Sequence, residues 1–187
     1  MTIEFNLPTN LTLLRIALIP LITVVFYLPW EYSNFACTLI FILAGVTDWL
    51  DGYLARKMRL ETPFGAFLDP VADKLMVAMV LVLIVQQQAS AYLAIPAAVI
   101  IGREITIASL REWMAEIGQR AHVKVSPLGK WKTMAQMLAI GMLLYRNDLF
   151  GMPINYYGYG LLYIAAILTL WSMINYLRAA LAVLSTK

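Results

Sequence analysis

The sequence has almost no cysteine and almost no histidine. Its 187 residues include one cysteine, Cys37, and one histidine, His122. A single cysteine cannot form an intramolecular disulfide, and a single histidine without cysteine partners cannot form a zinc site of the usual kinds. We therefore interpret Cys37 as part of the apolar run that contains it and His122 as a solvated loop residue.

Charge is also scarce. Only 13% of the residues are charged, 61% are apolar, and the mean hydropathy is +0.75. A soluble domain of this length would be more polar. Because a helix needs about 20 apolar residues to cross the hydrocarbon core, the chain has room for about six such helices and for no sizeable soluble domain. No basic residue precedes Arg15, and no small-residue cleavage site follows the first apolar run, so we expect no signal peptide.

The apolar runs predict an all-α integral membrane protein with six transmembrane helices in a single domain, residues 1–187. Residues 1–10 fit either a short interfacial segment that leads to a helix N-cap or a frayed terminus. The predicted spanning helices cover residues 11–28, 35–54, 68–86, 92–110, 128–145 and 157–177.

The distribution of lysine and arginine predicts the orientation in the membrane. The loops on one side carry only Arg146. The connections between helices 2 and 3 and between helices 4 and 5, with the C-terminal tail, carry ten cations. Both termini are therefore predicted to be cytoplasmic. The ten cations are Arg56, Lys57, Arg59, Arg111, Arg120, Lys124, Lys130, Lys132, Arg178 and Lys187.

Four of the chain's five aspartates fall between positions 48 and 73, with apolar runs on both sides. Asp48 and Asp51 are spaced i, i+3, and Asp69 and Asp73 are spaced i, i+4, so each pair shares a face of its helix. Two such helix ends joined by a short turn can bring four carboxylates together. Carboxylates that converge at the edge of a bilayer repel one another, and either protonation or hard divalent cations can relieve the repulsion. Oxygen ligands suit Mg²⁺ or Mn²⁺.

Small and basic residues accompany these aspartates. Gly52 and Ala55 keep the inner face of their helix thin, and Gly65 allows a close backbone approach. Arg56 offers a planar cationic fork that matches phosphate oxygens. The stretch is therefore suited to a ligand that carries phosphates.

The pattern D-x2-D-G-x2-A-R-x8-G-x3-D-x3-D is complete from Asp48 to Asp73. It resembles the signature of the CDP-alcohol phosphotransferases, which are integral membrane enzymes of phospholipid synthesis. The resemblance extends over nearly the whole chain. The segments R-E-I-T-I-A-S-L-R-E-W from Arg103 and G-K-W-K-T-M-A-Q from Gly129 are closest to the bacterial members that make phosphatidylglycerophosphate.

The resemblance implies transfer of a phosphatidyl group from CDP-diacylglycerol to sn-glycerol 3-phosphate, with release of CMP. It implies two divalent ions, Mg²⁺ or Mn²⁺, held by the four aspartates, with Asp73 also acting as the base. It implies a homodimer in the bacterial cytoplasmic membrane, among membrane lipids, with the active site facing the cytoplasm and no nucleic-acid partner. The residues that it places around the CDP group are Gly52, Ala55, Arg56 and Gly65.

The acceptor phosphate needs a positive pocket of its own. Arg103 lies well inside an apolar helix, and intramembrane charges usually mark function. Arg111 is about two turns further along the same face. The positive-inside bias suffices to explain Arg120, Lys132 and the cations of the tail. Glu104 is interpreted as a structural partner of another helix, and Lys74 as a local counter-charge. The predicted acceptor contacts are Arg103, Arg111, Lys124, Lys130 and, facing the polar cavity from the first helix, Arg15.

Three other functions compete with this interpretation. A related enzyme would use the same lipid donor with serine, inositol phosphate or another alcohol, although the cations favour a phosphorylated acceptor. A membrane prenyltransferase would need two aspartate motifs on well-separated helices and a longer chain. A cation channel or transporter accounts for intramembrane aspartates but does not need a complete nucleotide-diphosphate motif.

Overall fold

The computed structural model describes residues 6–58, 62–118 and 128–184, without the side chains of residues 56, 128–130 and 182–184. The described part is helical throughout and contains no β-strand, apart from one isolated bridge between Leu149 and Met152. The predicted all-α class and the number of helices are confirmed. The six helices are α1 (Leu7–Tyr27), α2 (Ser33–Met58), α3 (Pro63–Gln88), α4 (Ala91–Glu116), α5 (Leu128–Tyr145) and α6 (Ile154–Leu184).

Most helices extend beyond their predicted bounds, and two of the differences matter for the site. Helix α1 begins at Leu7 after the N-cap Asn6, whose side chain accepts a hydrogen bond from Thr9 N. The predicted start of this helix at residue 11 was therefore wrong, and residues 1–5 lie outside the described part. Helix α3 begins at Pro63, because Thr62 caps it and proline suits the first helical position. Gly65 consequently belongs to the first turn of α3 rather than to a turn before it.

Within the described residues, four helices are long and apolar enough to cross a membrane by length and composition, and α3 and α5 are not among them. The outer surface of the bundle carries exposed apolar side chains, for example Val24, Ile95, Ile167 and Trp171. A soluble protein rarely leaves so much apolar surface exposed, whereas a lipid environment accommodates it. The structure thus supports a membrane protein.

Every helix contributes to one apolar core. Side chains that are at most 2% exposed include Ile22, Phe41, Val80, Leu93, Leu143 and Leu162, one from each helix in turn. Helix α3 packs against three other helices, α1, α4 and α5. Helix α1 packs against both α2 and α3, which have far less contact with each other within the described ranges. Helix α1 therefore lies between the two helices that carry the aspartates.

Candidate active site

Three of the four predicted aspartates come together at one end of the bundle. One carboxylate oxygen each from Asp48 and Asp51 on α2 and from Asp69 on α3 lie within 4.8 Å of one another. We call these residues the aspartate triad. The convergence of carboxylates from two helices, predicted from their spacing, is confirmed for these three residues. Such an oxygen-only cluster is the donor set that Mg²⁺ or Mn²⁺ prefers.

Arg15 of α1 lies between the three carboxylates. Its Nη1 is 2.7 Å from Asp48 Oδ1 and 3.1 Å from Asp69 Oδ1, and its Nη2 is 2.5 Å from Asp51 Oδ2. Thr12, on the preceding turn, donates to the same oxygen of Asp51 over 3.3 Å. The position of α1 between α2 and α3 explains why one arginine reaches all three. Three carboxylates and one guanidinium leave a formal charge of −2 at the triad.

The members of the triad differ in exposure. The side chain of Asp51 is 4% exposed, whereas those of Asp48 and Asp69 are 44% and 45% exposed. Arg15 itself is 1% exposed. Asp51 is therefore anchored in the protein by Arg15, and Asp48 and Asp69 present their carboxylates to the exterior of the bundle.

Asp73 does not belong to the triad. It lies one helical turn beyond Asp69 on α3 and lines a different cavity, together with Arg103 and Arg111. The predicted gathering of all four carboxylates is therefore confirmed only for three. The predicted start of this helix at residue 68 would have placed both residues on its first turns. That expectation was wrong, because α3 begins at Pro63 and its first turn contains no acidic residue.

A cavity of about 300 Å³, which we call the small cavity, adjoins the triad between α1, α2 and α3. Three of the four residues predicted to surround the CDP group line it: Gly52, Ala55 and Gly65. Asp51 and Asp69 also line it. The fourth predicted residue, Arg56, belongs to α2, but its side chain lies outside the described part of the chain.

Two helix N-termini meet at the small cavity. Thr9 stands in the first turn of α1 and Thr62 caps α3, and their hydroxyl oxygens are 3.5 Å apart. The Thr62 hydroxyl accepts from Gly65 N over 3.0 Å. A Cβ atom on Gly65 would lie 3.0 Å from Thr62 Oγ1 and 3.2 Å from Thr9 Oγ1, so glycine allows this approach. Paired helix N-termini favour anionic groups such as phosphates.

A second cavity, of about 910 Å³, lies between α2, α3, α4, α5 and α6, and we call it the large cavity. Arg103 and Arg111 line it from the same face of α4, as predicted. Arg111 was expected just beyond that helix, but α4 continues to Glu116 and carries both arginines on one regular surface. Asp73 and Lys74 of α3 line the cavity opposite them.

Helix α6 holds the two arginines, and sequence reasoning missed its contribution. The Arg103 guanidinium donates to Ser172 Oγ over 3.0 Å and lies 5.6 Å from the ring centre of Tyr176. Arg111 donates to the Tyr176 hydroxyl over 3.1 Å and lies 5.3 Å from the same ring centre. The spacing of Ser172 and Tyr176, i and i+4 on an otherwise apolar helix, was the available signal.

Glu104 and Lys132 form an ion pair across helices α4 and α5. Lys132 Nζ is 2.5 Å from Glu104 Oε1, and Arg103 Nη1 is 3.0 Å from the same oxygen. The interpretation of Glu104 as a structural partner of another helix is confirmed. The positive-inside bias alone does not account for Lys132, whose side chain is only 6% exposed and lines the large cavity.

Three further predicted contacts have different outcomes. Lys124 lies outside the described residues, and Lys130 lies in the first turn of α5 with a side chain that is not described. Arg15 faces inward, as predicted, but it lies with the aspartate triad and not beside Arg103 and Arg111. Its contact with an acceptor phosphate stays a prediction.

Sequence similarity to known proteins identifies the family of this chain. A sequence profile of the CDP-alcohol phosphatidyltransferases matches residues 5–171. The chain is 58% identical over 180 residues to the CDP-diacylglycerol–glycerol-3-phosphate 3-phosphatidyltransferase of Haemophilus influenzae, across 95% of this chain and 94% of that protein. Proteins of the same name from Escherichia coli K12 and Shigella flexneri are 54% identical over 179 residues, across 96% of this chain and 97% of each relative. The chain therefore belongs to the CDP-alcohol phosphatidyltransferase family.

Proposed function

We propose that this protein transfers the phosphatidyl group of CDP-diacylglycerol to sn-glycerol 3-phosphate, which gives phosphatidylglycerophosphate and CMP. One observation carries the proposal. On α3, Asp69 faces the small cavity and Asp73 faces the large cavity, four residues apart, or about 6 Å along the helix axis. A donor in one cavity and an acceptor in the other would therefore meet at these two carboxylates. The names of the relatives agree with such a reaction.

The small cavity suits the diphosphate of the lipid donor. The first turns of α1 and α3 line it, so the positive ends of two helix dipoles favour an anion there, and Gly52, Ala55 and Gly65 leave room for a ligand against the backbone. We place the CDP group there, with Arg56 as a further phosphate contact.

The aspartate triad suits divalent cations. Its residual charge of −2 and its two exposed carboxylates leave oxygen atoms free to bind an ion. We propose that Asp48, Asp51 and Asp69 hold Mg²⁺ or Mn²⁺, and that Asp73 completes the site for a second ion. When bound, the ions neutralise the diphosphate and polarise the phosphorus that is attacked.

The large cavity suits the acceptor. Arg103 and Arg111 present two guanidinium groups from one face of α4, and both are held by Tyr176. A phosphorylated acceptor accounts for two arginines within an apolar helix better than an uncharged alcohol does. We place Lys124, Lys130 and Arg15 as further contacts of the acceptor phosphate.

Asp73 stands where a base is needed. In the proposed step, the acceptor hydroxyl oxygen forms a bond to the lipid-side phosphorus while the bond from that phosphorus to the bridging oxygen breaks. The bridging oxygen and its electron pair leave with CMP. The hydroxyl proton passes to the Asp73 carboxylate. The arginines of the large cavity would hold the acceptor beside this carboxylate.

The placement of the charges supports the proposed orientation. We propose that all six helices span the bacterial cytoplasmic membrane, that α3 and α5 do so inside the bundle, and that the chain is one domain and a homodimer. The aspartate triad and both termini then face the cytoplasm, where glycerol phosphate is dissolved.

The direct test is CMP release from CDP-diacylglycerol by purified protein in detergent, with and without radiolabelled sn-glycerol 3-phosphate. We expect CMP and labelled lipid to form together and to depend on the acceptor. Serine and inositol phosphate, supplied in parallel, should give little product. Product from either of them and none from glycerol phosphate would overturn the proposed acceptor. Failure to release CMP with any acceptor would overturn the phosphatidyl transfer itself.

A further inference from the structure

Gln136 lines the large cavity and has a side-chain group without a hydrogen-bond partner among the described residues. It follows Lys132 by one turn of α5, is 5% exposed and lines the cavity. Its side-chain carbonyl oxygen is buried and accepts a hydrogen bond from no group in the described part of the chain. An apolar residue of the same size would avoid the cost of that unpaired oxygen. The oxygen is therefore placed for a donor that the protein does not supply.

The large cavity also contains an unmet donor. The Nε–H of Arg103 is buried and has no partner among the described residues. The remaining nitrogens of Arg103 bond to Glu104 and Ser172, and Lys132 is paired with Glu104. Among the fully buried side-chain atoms of the described lining, one donor and one acceptor therefore lack a partner. A phosphate oxygen of a ligand can accept from this donor, and a hydroxyl of the same ligand can donate to the acceptor.

The proposed acceptor combines a phosphate with two hydroxyls, of which only one takes part in the reaction. In sn-glycerol 3-phosphate, one end carries the phosphate and the other end carries the attacking hydroxyl. The hydroxyl on the central carbon takes no part in bond formation. Left inside a buried cavity without an acceptor, this hydroxyl would lose the hydrogen bond it had in water.

We propose that Gln136 accepts a hydrogen bond from the central hydroxyl of the acceptor and makes the enzyme selective for phosphates of vicinal diols. The inference rests on the proposed function and adds a specificity-determining residue to it. A site built to bond a hydroxyl rejects the analogue that lacks it, because the buried oxygen is then left unpaired.

The test compares two acceptors in wild type and in Gln136→Leu. The acceptors are sn-glycerol 3-phosphate and 3-hydroxypropyl phosphate, which keeps the phosphate and the terminal hydroxyl and lacks only the central one. Wild type should prefer glycerol phosphate by roughly 10-fold or more in kcat/KM, the size expected for one buried hydrogen bond. Gln136→Leu should lose most of that preference by using glycerol phosphate less well. The ratio comes from one preparation, so partial inactivation of the variant does not affect it.

Gln86→Leu is the matched control, because Gln86 is exposed at the end of α3 away from Asp73 and bonds only to the Tyr27 hydroxyl among described groups. It should keep the wild-type ratio. If Gln136→Leu does not fold, Gln136→Met removes the same oxygen from an unbranched side chain. A wild-type ratio in the leucine or methionine variant would overturn the role of Gln136 and leave the proposed function intact. No lipid product from glycerol phosphate with wild type would instead overturn the proposed function.

Discussion

Arg15 of α1 donates through Nη2 to Oδ2 of Asp51 on α2 over 2.5 Å, and both side chains are almost completely buried. The same guanidinium contacts Asp48 and Asp69 through Nη1. One cation on a third helix therefore holds together three carboxylates that would otherwise repel one another. Its removal would leave three negative charges without compensation.

Arg15→Ala should destabilise the protein by about 3–5 kcal/mol, the range for loss of one partner from a buried ion pair, and should abolish turnover. Arg15→Lys keeps the charge but loses the two-pronged geometry, so it should be intermediate. Thermal unfolding in detergent, with and without Mg²⁺, measures both effects. Mg²⁺ should raise the stability of Arg15→Ala more than that of wild type, because the ion replaces the lost positive charge. Unchanged stability with only a raised KM for glycerol phosphate would show that Arg15 binds the acceptor phosphate without holding the triad together.

Asp69→Asn should reduce CMP release by more than the roughly 10- to 100-fold loss typical of changes around metal ligands. Asp48→Ala and Asp51→Ala should do the same, and EDTA should stop wild type reversibly. The control is Asp148→Asn, an exposed aspartate of the connection between α5 and α6. Near-normal turnover in any of the three triad variants would contradict the proposed ion site.

Asp73→Asn should reduce turnover by roughly 100- to 10,000-fold, the usual contribution of a general base, with little loss of CDP-lipid binding. The reason is its position in the large cavity, apart from the triad. Binding of CDP-diacylglycerol, measured without acceptor, separates the two effects. An equal loss of binding and turnover would mean that Asp73 acts as an ion ligand and not as the base.

The contacts that could be predicted from the sequence are the local ones. The spacing of Asp48 and Asp51 within α2, and of Arg103 and Arg111 within α4, follows from helical geometry alone. The resemblance to a known family supplied the residues around the small cavity, of which Gly52, Ala55 and Gly65 line it.

The contacts between distant helices could not be predicted in this way. Arg103 and Ser172 are 69 residues apart and Arg111 and Tyr176 are 65 apart, and periodicity says nothing of which helices become neighbours. The separation of Asp73 from the triad also depends on packing, because α1 enters between α2 and α3 and brings Arg15 to Asp69. The presence of Lys132 was explained by the positive-inside bias of the loops, because no local feature of the sequence marks a residue that forms a buried ion pair.

Arg111→Ala should raise the KM for glycerol phosphate by roughly 10- to 100-fold, as expected for one lost hydrogen bond to a charged group, while the KM for CDP-diacylglycerol stays near wild type. Arg146→Ala is the control, because Arg146 is exposed in the connection between α5 and α6. Steady-state assays that vary each substrate in turn give the comparison. A change confined to the KM of the lipid donor would show that the large cavity does not hold the acceptor.

Glu104→Gln should destabilise the bundle by about 3–5 kcal/mol, because it leaves Lys132 and Arg103 without their shared carboxylate. Lys132→Met should cost less, since Glu104 keeps its 3.0 Å contact with Arg103. The double variant should be more stable than the sum of the two losses predicts, by about 0.5–3 kcal/mol of coupling. Thermal unfolding in detergent provides the four values of the cycle, with Glu31→Gln, in an exposed loop, as the control for loss of an acidic charge. Strictly additive losses would mean that Glu104 and Lys132 do not stabilise the packing of α4 against α5 as a pair, and that the cations of the large cavity are held by α6 alone.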